Sequence, residues 1–203
     1  DDWNSIQDQQ RRLGRRIPHC AVVPAIDLAL DDAIHISGAD QNRLGRRMAY
    51  AISVLREGRR AGLPPIELKR VWSGKDERNV AVAWAEFANV VGRLRSAGPP
   101  AGFALQGRSG PVPLYRIDLE RNRIAVRTCV SPSEMASDLW YGRGFAPYCN
   151  ITDEADRSLP VFGPAPVGDP RALAPFVQRL RVSPLLPHQS IVSLPKQLNA
   201  RRL

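Results

Sequence analysis

The stretch CAVVPAIDLALDDAIHISGADQNRLGRRMAYAI, residues 20–52, decides how the chain is read. Cys20 to Leu28 is continuously apolar up to Asp27, the pattern of a strand buried on both faces of a parallel sheet. A polar loop follows. Leu44, Met48, Ile52 and Leu55 then recur at helical spacing and form one apolar stripe, with Asp40 placed as the N-cap. Upstream, Trp3, Ile6, Leu13 and Ile17 predict a helix, with Asp1, Asp2 and Asp8 near its N-terminal end and arginines toward its C-terminal end, as the helix dipole favours. Helix, buried strand, loop, helix is a fragment of a doubly wound α/β layer, whose functional loops lie at the carboxyl end of the strand, here residues 27–40.

The texture changes at GLPPIEL. Five short β-type runs follow: IELKRVW (66–72), VAVAWAEF (80–87), GFALQ (102–106), PLYRIDL (113–119) and RIAVRTCV (123–130). Clusters rich in Gly, Asn and charge separate them, which predicts an antiparallel sandwich or barrel. Three segments result: an α/β part over 1–62, a β-rich domain over 63–165, and a Pro-rich tail over 166–203 with one weakly helical stretch at RALAPFVQRL.

Composition narrows the function classes. The 203 residues are 43% hydrophobic and 24% charged, ordinary for a globular protein. No run reaches the roughly 18–20 apolar residues that cross a bilayer, and the opening DDWNSIQDQQ has no signal-peptide pattern. Starting on Asp-Asp inside a helical pattern, the sequence reads as a piece of something longer. The formal charge of +9 invites nucleic acid, but the arginines are spread from Arg11 to Arg202 with no dense basic arm and no zinc-finger or RNA-recognition signature. Cys20, Cys129 and Cys149 lack metal-ligand spacing, and no cofactor or metal is expected.

The chemistry-bearing pattern is Asp32-x-x-His35. Histidine is the usual general base near neutrality, and it works best when a carboxylate holds one ring nitrogen so that the other faces the reaction. An Asp three positions upstream on a loop can turn back to do this; the competing reading is a loop histidine packing near a helix start. Asp27 either lines the mouth of such a site or satisfies loop amides. Trp140, Tyr141, Phe145 and Tyr148 in LWYGRGFAPYCN either meet sugar rings or fill a seam between domains.

The ordered set WNSIQDQQRRLGRRIPHCAVVPAIDLALDDAIHISGADQNRLGRRMA (3–49) resembles the C-terminal end of the sialate O-acetylesterase type of SGNH hydrolase. The stretch from GFALQ through LWYG, CN and LPVFGP (102–164) resembles the β-rich segment that follows the catalytic histidine in that family. The resemblance implies the C-terminal part of a flavodoxin-like three-layer α/β hydrolase domain followed by a small antiparallel β-domain. It also implies serine-type removal of acetyl groups from carbohydrate, and export from the cytoplasm. It puts His35 in the general-base position and Asp32 in that of the orienting carboxylate, with Asp31 as alternative; of the aromatic block, Trp140 and Tyr141 are the residues expected to bind substrate.

One part of the family pattern is missing. The nucleophile block and the oxyanion Gly and Asn precede the histidine in the family, and only 34 residues precede His35 here. Ser109 in GRSGP lies after it, between β-runs, and reads as a turn serine. The expectation is therefore a second chain or segment that carries the serine and the oxyanion donors, with an O-acetylated carbohydrate as substrate and neither nucleic acid nor membrane as partner. The rival class is a non-catalytic carbohydrate-binding or scaffold protein.

Overall fold

The computed structural model describes residues 2–131 and 138–168; the Pro-rich tail from 169 onward, with its weakly helical stretch, lies outside the described residues. All five β-type runs form strands. β1 (Glu67–Lys75), β2 (Ala81–Ala88), β6 (Leu114–Leu119) and β7 (Arg123–Thr128) make one antiparallel sheet in the order β1-β2-β7-β6. A second sheet, β10-β8-β4-β5, unites β4 (Phe103–Gly107) with β5 (Gly110–Val112), β8 (Asp138–Tyr141) and β10 (Phe162–Pro166). A third pair joins β3 (Leu94–Ser96) to β9 (Ile151–Asp153).

Side-chain alternation sets which face is the core. On β2, Ala81, Ala83, Ala85 and Phe87 point inward, and on β7 Ile124 and Val126 do the same. They meet Leu105, Leu139, Tyr141, Ile151, Leu159 and Phe162 from the other strands in one apolar cluster. Phe87, Phe103, Tyr141 and Phe162 interlock there, with ring centroids 5.0–6.3 Å apart. On the outer face the cross-strand pair Trp72 and Trp84 stack at 6.1 Å, capped by Arg70 over one ring and Arg123 over the other. Arg157 ties this region to the loop before β1: its guanidinium bonds Asp153 and the carbonyls of Leu63, Pro64 and Asn89.

The N-terminal part departs from expectation in four ways. The first helix breaks at Arg11–Arg12 into α1 (Asp2–Gln10) and α2 (Leu13–Arg16). Residues 20–24 run extended but are not a strand: no backbone hydrogen bond is made there among the described residues, because no neighbouring strand lies alongside. Helix α3 (Gly38–Glu57) is capped by Ser37, whose Oγ accepts the Asp40 N–H at 3.2 Å, so Asp40 is a first-turn residue and not the N-cap. Its buried side is Arg47, Ala51 and Val54, while Met48, Ile52 and Leu55 from the predicted core stripe are about half exposed. The named strands pair only antiparallel.

Two buried polar side chains dock α1 on the sheets. Asn4 donates to the Gly142 carbonyl at 2.8 Å and accepts from the Gly144 N–H at 2.9 Å. Asp8 accepts the Gly163 N–H at 3.3 Å. Polar groups this deep are retained because each has a partner.

Candidate active site

The loop between the extended segment and α3 is held by short-range bonds at every turn. Leu30 and Ile36 form an antiparallel bridge, the Asp31 N–H donates to the His35 carbonyl at 2.9 Å, and the Ser37 N–H donates to Ala29 at 2.9 Å. The tip, residues 31–35, is thereby turned back on itself, which brings an aspartate and a histidine three residues apart into contact.

Asp32 is bonded at both oxygens. Its Oδ1 accepts the N–H groups of Ile34 and His35 at 2.8 Å each, an Asx-type turn that fixes the carboxylate on the backbone. Its Oδ2 lies 2.6 Å from His35 Nδ1. The bond from His35, with the two backbone N–H groups behind it, holds the Asp32 carboxyl below the usual carboxylate range. An anionic Asp32 makes Nδ1 the protonated nitrogen and leaves Nε2 as a free lone pair. The His35 side chain is 71% exposed, so Nε2 is open to a reactant. Among the described residues the ring bonds Asp32 and no hydroxyl. Asp31 faces elsewhere: its Oδ2 accepts the Gly38 N–H at 3.3 Å, at the start of α3.

The ends of the loop are fixed by charge. Asp27, where the extended segment enters the loop, has a side chain only 1% exposed that takes a two-pronged bond from Arg47, both contacts 2.7 Å. Asp27 therefore pairs with a guanidinium and satisfies no loop amide. At the exit, Asp40 accepts the Ala29 N–H at 2.6 Å. Arg43 and Arg47 also reach Asp156, on the turn after β9. Sequence reading missed Arg43, Arg47 and Asp156; the signal available was a pair of helix arginines four positions apart, downstream of an aspartate that closes an apolar run.

The aromatic block separates into core and surface. Tyr141 is fully buried against Phe103 and Phe162, and burial pushes its phenol well above the usual range, so it has no surface to offer a sugar. Trp140 is half-buried, with Arg143 over its ring at 5.1 Å and Gly163 packed so close to the ring that a side chain there would collide with it. The exposed members are Phe145 and Tyr148, at 78% and 70%, with Trp3 6.4 Å from Phe145. Ser109 sits in the exposed turn between β4 and β5. Among the described residues no group of three His, Cys, Asp or Glu side chains is placed to hold a metal ion, and no helix is long and apolar enough to cross a membrane.

No protein-family model matches this chain, and no curated protein matches it. Among solved structures it is similar to a carbohydrate acetylesterase from Xanthomonas citri, with a TM-score of 0.55 and 19% sequence identity. The match covers 69% of this chain and 31% of that enzyme, so the likeness is one of fold, over about a third of the enzyme's length.

Proposed function

We propose that this chain supplies the acid–base part of a serine-type carbohydrate O-acetylesterase, in the sialate O-acetylesterase arrangement of the SGNH hydrolases. The observation that carries the reading is the 2.6 Å contact between Asp32 and His35 Nδ1 on an exposed loop, which leaves Nε2 unoccupied. The fold shared with an acetylesterase supports it.

The steps follow from that geometry. Nε2 of His35 takes the proton of a serine hydroxyl as the oxygen attacks the ester carbonyl carbon, and Asp32 stabilises the imidazolium that forms. The tetrahedral intermediate expels the sugar oxygen, which receives the proton from Nε2. Water then gives a proton to Nε2 and attacks the acetyl-serine, and acetate departs as the serine recovers its proton. Oxyanion donors stabilise both tetrahedral intermediates.

The serine and those donors belong, in this reading, to a further segment or second chain. The open backbone of residues 20–24 and the outward residues Met48, Ile52 and Leu55 are the surfaces it would cover, completing a flavodoxin-like sheet over the 1–62 part beside the β-rich domain. Phe145 and Tyr148, rather than Tyr141, are then the aromatics free to meet glycan. Alone, the chain is expected to be nearly inactive. The test is acetate release from an O-acetylated sugar with the serine-bearing segment present. His35→Ala should lower turnover at least about a thousandfold while the circular dichroism spectrum stays unchanged. Unchanged turnover would remove His35 from the mechanism.

A further inference from the structure

We infer that Asp156, on a turn of the β-rich part, is a positioning residue for the loop that bears His35, acting through Arg43 and Arg47. The inference rests on the reading of His35 as base, and it adds a role for a residue 121 positions away in sequence.

The turn carrying Asp156 is itself rigid. Asp153 Oδ1 accepts the N–H groups of Ala155 and Arg157 at 3.0 Å each, and the Asp156 N–H donates to the Asp153 carbonyl at 3.1 Å. Asp156 adopts a left-handed φ of 57°, a conformation Asp and Asn tolerate better than other side chains. From this fixed point its carboxylate accepts Arg43 Nε at 2.9 and 2.8 Å, and Arg43 Nη2 as well. Arg47 donates from Nε to the Asp156 carbonyl at 2.5 Å and from Nη2 to its carboxylate at 3.2 Å.

The same two guanidinium groups then divide over the loop's ends. Arg47 holds Asp27 at the entry, and Arg43 Nη2 reaches the same carboxylate at 3.1 Å. At the exit, Arg43 Nη1 lies 3.8 Å from Asp40, which holds the Ala29 N–H. Among the described residues, the tip with Asp32 and His35 has only internal bonds and contacts to the start of α3, so its placement depends on where its two ends are pinned. Asp27 and Arg47 are almost wholly buried, whereas the Asp156 side chain is 45% exposed. The clamp can thus be weakened at Asp156 without leaving a charge stranded in the interior.

Asp156→Asn tests this, because asparagine accepts the same backbone conformation while removing the charge and turning one of the two acceptor oxygens into a donor. Glu154→Gln, on the same turn but paired with Arg93 and Arg95, is the control. The primary readout is amide hydrogen exchange in this chain. In Asp156→Asn, exchange at Ala29, Asp31 and Ser37 should rise about tenfold or more, while Ala83 and Ala85 in β2 stay unchanged. Glu154→Gln should alter none of them. With the serine-bearing segment present, kcat should fall roughly tenfold in Asp156→Asn with KM within about twofold, as misplacement of a base predicts. Unchanged loop exchange in Asp156→Asn, or a rise shared equally by β2, would overturn the clamp. His35→Ala assayed alongside separates the two ideas: if it retains turnover, the catalytic reading fails while the exchange data still judge the clamp.

Discussion

His35 Nδ1 lies 2.6 Å from Asp32 Oδ2, while Oδ1 of the same carboxylate accepts the backbone N–H groups of Ile34 and His35 at 2.8 Å each. One carboxylate therefore fixes both the ring and the turn beneath it. Both jobs need it charged. Its lowered pKa means the pairing contributes fully above the ordinary Asp value of about 3.9 and is lost as pH falls through the lower folded value. A carbon-13 titration of the Asp32 carboxyl should show a midpoint below about 3.9, moving upward in His35→Ala because the ring is the largest cause of the shift. With the serine-bearing segment present, Asp32→Asn should lower kcat by about 10³–10⁴-fold, the scale of losing a triad carboxylate.

Ser37 is the N-cap of α3, its Oγ accepting the Asp40 N–H. Ser37→Ala should cost about 1 kcal/mol in urea unfolding. Because Asp40 also holds the Ala29 N–H, the loop amides should lose protection along with the helix start.

Arg157 is the most heavily bonded side chain at the junction before β1. Asp153, its partner, has a fully buried carboxylate, so Arg157→Ala leaves that charge without its counter-ion, held by backbone N–H groups alone, and frees the carbonyls of Leu63, Pro64 and Asn89. A loss of about 3–5 kcal/mol in unfolding free energy is expected. A loss under 1 kcal/mol would show that these groups find other partners.

Ile52 points outward from α3 and is half exposed. Ile52→Ser should change the stability of this chain by no more than about 0.5 kcal/mol. It should weaken association with the proposed serine-bearing segment by about tenfold in a titration by isothermal calorimetry. Equal affinity would place that segment elsewhere.

Cys149 is buried against Tyr141, and burial pushes its thiol up to about 12. At pH 8 it should resist a disulfide reagent in the folded chain and react only after denaturation, whereas exposed Cys129 should react at once.

Five of the ten strands among the described residues were legible because each is a run of alternating or β-branched residues long enough to declare a face, as in VAVAWAEF. β3, β5 and β9 have three residues each, and β10 is FGPAP; such strands exist only through pairing with distant partners, as β10 does with β8. The period of α3 was readable but its inner face was not. Hydrophobic spacing selects Met48, Ile52 and Leu55, yet the helix is rotated to bury Arg47 against Asp27. Cys20 to Pro24 has a strand's composition, but a strand also needs a neighbour, and apolar sequence alone cannot supply one.

The sequence alone offered the contact between Asp32 and His35 as one of two readings, because a separation of three residues on a loop lets local backbone turns bring the two groups together; the fold shows that they do meet. By itself the sequence determined the strands whose faces are written in alternation. Tertiary structure alone decided that Tyr141 is core and Phe145 surface, and that Asp156 meets Arg43 and Arg47 across more than a hundred residues. Those outcomes depend on how separate elements pack, and packing between distant segments leaves no local periodicity to read.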